Sequence, residues 1–246
     1  MSFASRAGAR IPHAPAAGLN TLLLLHFDDD YVDAAGRHGT FTVVPETGAS
    51  IFIPSQFGSG ALEFGAFDTA NSPLSDANIA DFEFGTADFT VEAWVRAEES
   101  SGFGVATPLV TFYSTDDFGN ATMVWQLRTL GEGEGVDPAR VSWTISGGPD
   151  LVADISTATS LATYTHFAAV RASGVLTLYQ NGVAVATSTY TSNITSALNG
   201  GGQAYVIRIG SPNNLNNLFL IDEVRVSNVA RYTANFTVPA APFVVD

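Results

Sequence analysis

The chain has 246 residues, 46% of them hydrophobic and only 14% charged, which is enough apolar mass for a sizeable core and excludes wholesale disorder. Its 24 acids face ten basic residues, all arginine, and the formal charge of −14 argues against nucleic-acid binding, because a polyanion would be repelled. With no cysteine, a disulfide framework, a thiolate nucleophile and a cysteine-held zinc are all excluded.

Residues 1–18, "MSFASRAGARIPHAPAAG", are rich in Ala, Gly and Pro and carry only Arg6 and Arg10 as charges, leaving −16 on the rest. Two readings stand for this basic arm: a disordered terminus, or a segment that orders on docking to a neighbouring subunit. It holds no continuous apolar stretch, and the longest early run, Leu22 to Leu25, is far too short to cross a bilayer, so no targeting or membrane segment is expected.

From residue 19 to 246 the sequence reads as one body of short strands. Runs at 89–96, 109–114, 122–129, 140–146, 166–171, 175–180, 183–190, 204–210 and 218–226 are enriched in β-branched and aromatic residues. Asn181-Gly182 supplies the two positive-φ positions of a type I′ turn and predicts a hairpin over 175–190. "SDANIADFEFG" has room for one short helical turn, "GEGEGVDP" and "LNGGGQ" are glycine-rich loops, and "TVPAAPFVVD" is an extended tail on the surface. Many short strands, Gly and Pro turns and no helical period predict an all-β antiparallel two-sheet jelly-roll sandwich.

The last strand contains an anomaly. Strict alternation in "LFLIDEVRV" places Leu218, Leu220, Asp222, Val224 and Val226 on one face and Phe219, Ile221, Glu223 and Arg225 on the other. Asp222 then interrupts an apolar face, where a carboxylate needs a metal, an ion-pair partner or hydrogen-bond donors. "HFDDDYVDAAGRHG" offers Asp28, Asp29, Asp30 and Asp33 in a flexible loop after the first strand, and hard oxygen ligands of this kind suit calcium.

In order, "ALEFGAFD", "FGTADFTVEAWVR", "YTHFAAVRASGVLTLYQNGVAVA", "YVIRIGSPNN" and "FLIDEVRVSNVARYTANFTVPAAPF" resemble the laminin-G-like jelly rolls of the concanavalin A-like lectin/glucanase superfamily, over about residues 20–243. Those domains carry a Trp before the "HHVA"-like strand; here Tyr164 and Thr165 precede His166, and Tyr164 is read as filling the same packing position. The resemblance implies a calcium ion between the loop after the first strand and the last strand's "IDEV" acid, with Asp222, Asp28 and Asp33 as ligands. The other reading of Asp222 is an acid at the sandwich rim that accepts backbone amides. "LLLLHFDD" with "VARYTANFTVPAAPF" is similar to versions of the domain in tailed-bacteriophage structural proteins. That implies a virion protein (capsid decoration, head fibre or tail module) contacting other virion proteins through its arm, assembled as a homo-oligomer and taking host-surface glycans as a further ligand. A carbohydrate-binding module of a secreted or cell-surface protein is the alternative, and a glycoside hydrolase of the same superfamily a weaker one.

Catalytic groups are not expected. Glucanases of this superfamily use clustered strand acids, and Asp81 with Glu83 in "ADFEFG" lacks a third; no nucleophile elbow or phosphate loop is present, and His166 at a strand start reads as structural. Sugar stacking needs exposed aromatics, yet Trp94, Trp125 and Trp143 lie in strand patterns that favour the core. The loops offer Tyr113, Phe118, Asn120, "DDFGNA" at 116–121 and "SPNNLNN" at 211–217.

Overall fold

A computed structural model describes residues 20–43, 50–64, 74–77, 80–97, 107–115, 121–130, 140–154, 163–195, 204–210 and 219–246. The arm at 1–18, Phe118, Asn120 and the 211–217 loop lie outside the described residues.

Among the described residues fifteen strands are formed: β1 (Thr21–Leu25), β2 (Thr42–Val43), β3 (Ser50–Phe52), β4 (Ala61–Phe64), β5 (Leu74–Ala77), β6 (Phe89–Ala97), β7 (Thr107–Thr115), β8 (Ala121–Leu130), β9 (Arg140–Ile145), β10 (Asp150–Asp154), β11 (Thr165–Ala172), β12 (Val175–Gln180), β13 (Val183–Thr189), β14 (Ala204–Ile209) and β15 (Phe219–Ser227). One 3-10 turn, Ala80–Phe82, falls where the sequence allowed a helical turn. The first sheet runs β13-β12-β11-β6-β15-β4-β3 with β1 also on β15, and the second runs β10-β9-β8-β7-β14-β5-β2. All pairings are antiparallel, so the expected two-sheet sandwich is formed. The strands missed in the sequence, β2 to β5 and β10, are two to five residues long, too short for alternation to stand out.

Between the sheets, aromatic rings fill the core. Trp125 and Trp143 stack with centroids 5.2 Å apart, Phe84 lies 4.1 Å from Phe89, and the indole N–H of Trp125 donates to the Phe82 carbonyl at 2.9 Å. That bond satisfies the one polar atom of a large side chain that is otherwise fully buried.

The central strand departs from strict alternation. β15 pairs with β6 along one side, while its other side meets β4 over Phe219–Ile221 and β1 beyond Val224. At the changeover Asp222 faces Trp94 and Arg225 faces Glu92, so one residue too many is accommodated, and Glu223 takes φ 53°. This β-bulge shifts the period by one. Phe219, Ile221, Val224 and Val226 therefore all enter the inter-sheet core, and Asp222 shares the opposite face with Arg225, not with Val224. The two-face assignment drawn from the sequence is corrected by a bulge that alternation alone cannot reveal.

That opposite face is covered by the segment after β15, which runs from Asn228 to Asp246 without regular secondary structure. Its Tyr232 and Phe236 stack at 3.5 Å and pack on Ala168, Val170 and Tyr179, while Phe243 joins Leu24 and Trp94. Tyr164 packs into the second group and donates its hydroxyl to the Pro54 carbonyl at 2.8 Å, consistent with the packing role read for it. The tail is thus a strap that buries aromatic anchors. The hairpin turn receives it: Asn181 and Gly182 both have positive φ, and the Gly182 carbonyl accepts the Phe236 N–H at 2.9 Å.

A Cβ on Gly182 would lie 2.0 Å from the Phe236 carbonyl oxygen. Gly182→Ala is expected to lift the strap from the turn and lower unfolding free energy by about 1 to 3 kcal/mol, measurable by thermal or urea denaturation.

Candidate functional site

The acids singled out in the sequence occupy the sheet rim around the bulge. Asp33 is buried, and its two oxygens accept four backbone amides: Oδ1 from Leu24 at 3.0 Å and Ala35 at 2.9 Å, Oδ2 from Arg37 at 2.9 Å and His38 at 3.0 Å. A carboxylate offers about four acceptor positions, so Asp33 is filled by the loop that it organises. Asp28 Oδ1 accepts the Ser59 amide at 2.6 Å, and the Asp28 carbonyl accepts the Ser59 hydroxyl. Asp222 Oδ2 accepts the amides of Gln56 at 2.9 Å and Phe57 at 3.0 Å. The structure therefore draws Asp28 and Asp222 to the same 56–59 loop and leaves Asp33 apart. Among the described residues no three acidic or histidine side chains are grouped to hold a metal ion, and Asp28, Asp33 and Asp222 form no such group. The geometry of Asp222 is the amide-accepting one.

Asp222 has no exposed surface, and its Oδ1 makes no hydrogen bond. Burial pushes its carboxyl up to about 7; the Phe57 and Gln56 amides oppose the rise and the charge of Glu223 adds to it. Next to it, Glu223 accepts from His26 Nδ1 and from the Phe243 amide, each at 2.7 Å. The Glu223 hydrogen bond raises the His26 pKa against the opposing effect of burial, with the charges of Glu223, Asp28 and Asp222 reinforcing it.

Deeper under the strap lies a group that the sequence reading passed over. Glu92 is fully buried and receives the Arg225 guanidinium (Nε 2.8 Å, Nη2 2.7 Å), His166 Nε2 at 3.0 Å and the Tyr232 hydroxyl at 2.8 Å. Burial alone would raise the Glu92 pKa, but the His166 hydrogen bond, the charges of Arg225 and His166 and the Tyr232 hydroxyl together hold it below the usual carboxylate range. Arg225 also lies 4.0 Å from the centre of the Phe243 ring. The available signal was the opposite charges of "VEAWV" and "DEVRV", both at positions that apolar strands normally fill. His166 is thereby structural. Asp81 is likewise engaged, by Arg37 at 2.6 Å, and all three tryptophans are buried.

The second sheet presents a different outer surface. Register across its seven strands aligns Asp150, Thr144, Gln126, Thr111, Arg208, Ser75 and Thr42, one position per strand and every one polar. At ~4.8 Å between strands this row extends about 29 Å. Gln126 Nε2 donates to the Thr111 hydroxyl at 2.9 Å, and the Thr144 hydroxyl to Asp150 at 2.8 Å. Beside the row, Tyr113 stands against Arg208, whose guanidinium lies 4.8 Å from the ring centre, and burial pushes the Tyr113 hydroxyl up to about 12. The Tyr113 hydroxyl and the Nε atoms of Arg128 and Arg208 are buried without hydrogen bonds.

Two antiparallel sheets packed face to face, one covered by a strap and one presenting a polar row, define a lectin-like jelly roll. Residues 68–235 match the Laminin_G_3 family, described as the concanavalin A-like lectin/glucanases superfamily, and the chain belongs to it. No curated protein matches in sequence. Among solved structures, similar ones include the binding domain of Paraclostridial Mosquitocidal Protein 1 (TM-score 0.60, 15% identity, 87% of this chain and 50% of that one). Others are the botulinum neurotoxin type C structure concerned with cell entry through two ganglioside molecules (0.58, 10%, 87% and 49%) and the binding domain of botulinum neurotoxin DC in complex with rat synaptotagmin II (0.54, 11%, 87% and 49%). The chain spans about half the length of these structures, and at such identities the likeness is one of fold.

Asp33→Ala removes the acceptor of four backbone amides, one buried and three partly so, and is expected to lower stability by about 2 to 4 kcal/mol, equally in calcium and in chelator, as read by denaturation under both conditions. A second expectation concerns pH. An acid whose folded pKa lies above its unfolded value leaves stability intact below the unfolded pKa and loses it as pH climbs toward the folded one; for Asp222 that window runs from 3.8 to about 7. His26, also raised, loses its contribution as pH rises through its folded pKa. Thermal scans should show the midpoint falling by roughly 3 to 8 °C from pH 5 to pH 8, with a flatter profile in Asp222→Asn.

Proposed function

We propose that this protein is a non-catalytic recognition module that holds a saccharide along the polar row of its seven-stranded sheet. The observation that carries the reading is the unbroken succession Asp150, Thr144, Gln126, Thr111, Arg208, Ser75 and Thr42. A sugar chain presents hydroxyls that both donate and accept, and the row meets it with amide, hydroxyl and guanidinium groups, flanked by Tyr113 as a ring to pack against. Its ~29 Å length suits an extended oligosaccharide lying across the strands.

The non-catalytic reading is supported by how the acids are used. Glycoside cleavage takes two carboxyl groups roughly 5 to 10 Å apart on either side of the bond. Asp81 is neutralised by Arg37, Glu92 by Arg225, and Asp150 is occupied by the Ser142 and Thr144 hydroxyls. The binding domains of similar fold, whose descriptions concern gangliosides and synaptotagmin, support recognition of a cell surface. The phage-like segments at the two ends of the domain support carriage on a virion, with residues 1–18 contacting other virion proteins and the jelly roll facing the host.

A glycan array probed with the wild-type chain and with Gln126→Ala and Arg208→Ala, alongside mass spectrometry of purified phage particles, tests the two parts. The expected outcome is saccharide binding that falls at least tenfold in both variants without loss of folded signal, and the protein's presence in particles. Absence of any saccharide signal would remove the ligand assignment, and absence from particles the virion.

A further inference from the structure

One side of the sandwich brings together the outermost strands of both sheets, β13 and β10. Among the described strands β13 pairs only with β12, and its first residues are closed by the strap: Asn235 Oδ1 accepts the Ala184 amide at 2.9 Å, and Phe236 binds Gly182. Beyond that point, from Val185 to Thr189, no described segment pairs with the outer edge. An unpaired strand edge is a template for pairing with another chain, and natural edges are normally blunted by charge or proline. Here neither is present: "VAVATSTYTSNIT", residues 183–195, contains no Asp, Glu, Lys, Arg, His or Pro.

At the start of β13 the side chains are apolar and exposed. Of the eight large hydrophobic residues left exposed on the described chain, four, Val152, Val175, Val183 and Val185, belong to β10, β12 and β13. Val185 and Val152 line an open groove of about 530 Å³ together with Ala153, Arg140 and Asp154. Arg140 Nε and Asp154 Oδ1 are 2.9 Å apart with both side chains partly open to solvent, a cation and an anion side by side at the rim.

We propose that this side joins two copies of the chain, β13 of one protomer lying antiparallel to β13 of its partner, so that the eight-stranded sheet continues across a twofold axis. The charge pattern selects this occupant. A twofold interface is isologous, so whatever one copy presents the other must complement. Two chains of −14 each repel over most of their surface, but the β13 edge brings no acid to the axis, and the Arg140–Asp154 pair is self-complementary: each copy offers an arginine to the other's aspartate. Val183 and Val185 leave water when the edges meet.

Sedimentation equilibrium of the full chain from about 1 to 100 μM tests this. The expected mass is twice 25.8 kDa at the upper end. Val185→Lys, an exposed and therefore tolerated change, should return the protein to monomer with its thermal midpoint retained. Arg140→Asp should weaken dimerisation by about tenfold or more, and Arg140→Asp with Asp154→Arg should restore it, an outcome that a merely local structural effect would not give. A wild-type monomer at every concentration, or a dimer that persists in Val185→Lys, overturns the proposal.

Discussion

Glu92 sits in the middle of a sheet face with no access to water, and most of what covers that face is arranged to make its charge tolerable. An uncompensated carboxylate there would cost several kcal/mol, and removing one member of a buried pair typically costs ~3 to 5 kcal/mol because the other charge stays behind. Arg225 comes from β15 on one side of Glu92's own strand, His166 from β11 on the other and Tyr232 from the strap. Sheet and strap are therefore not independent: the strap completes the coordination of an ion pair that the sheet alone would leave a donor short. The aromatic anchors add apolar burial, whereas the hydrogen bonds fix the position at which the strap docks.

The bulge at Glu223 serves the same arrangement. Without the extra residue Arg225 would point between the sheets, into rings that offer it no partner, and Val224 and Val226 would point out under the strap. With it, a strand that is apolar on one face delivers both Arg225 to Glu92 and Asp222 to the 56–59 loop. Glu223, held at positive φ, uses its own side chain to tie His26 to the Phe243 amide. One irregular residue thus connects the first strand, the last strand and the strap.

How far the sequence disclosed these features follows from the physics of each. The long strands β6 to β9, β11 to β13, β14 and β15 were readable because four or more alternating β-branched or aromatic residues leave a period, and the Asn181-Gly182 turn because few other residues adopt both positive φ angles. Asp222 was legible as an anomaly but not as a solution, since a bulge, an amide cradle and a metal all leave the same letter in the sequence. Asp33 resembled a ligand for a related reason: a loop acid that gathers four backbone amides and one that gathers a cation share composition and differ only in where the amides point. The polar row was invisible because it crosses strands, and its members lie as far apart in the chain as Thr42 and Arg208.

The position of β15 also has a bearing on how the chain acquires its shape. The seven-stranded sheet uses nothing beyond Ile209, but β1, β4 and β6, made much earlier, all pair with a strand that begins at Phe219. During synthesis the five buried residues of β1, "TLLLL", must wait some two hundred residues for β15, the strand they pair with among the described residues. Contacts of such sequence separation make closure slow. A ribosome-bound chain therefore carries this apolar strand unpaired while the intervening strands are made, the kind of exposed surface that chaperones of nascent chains shield.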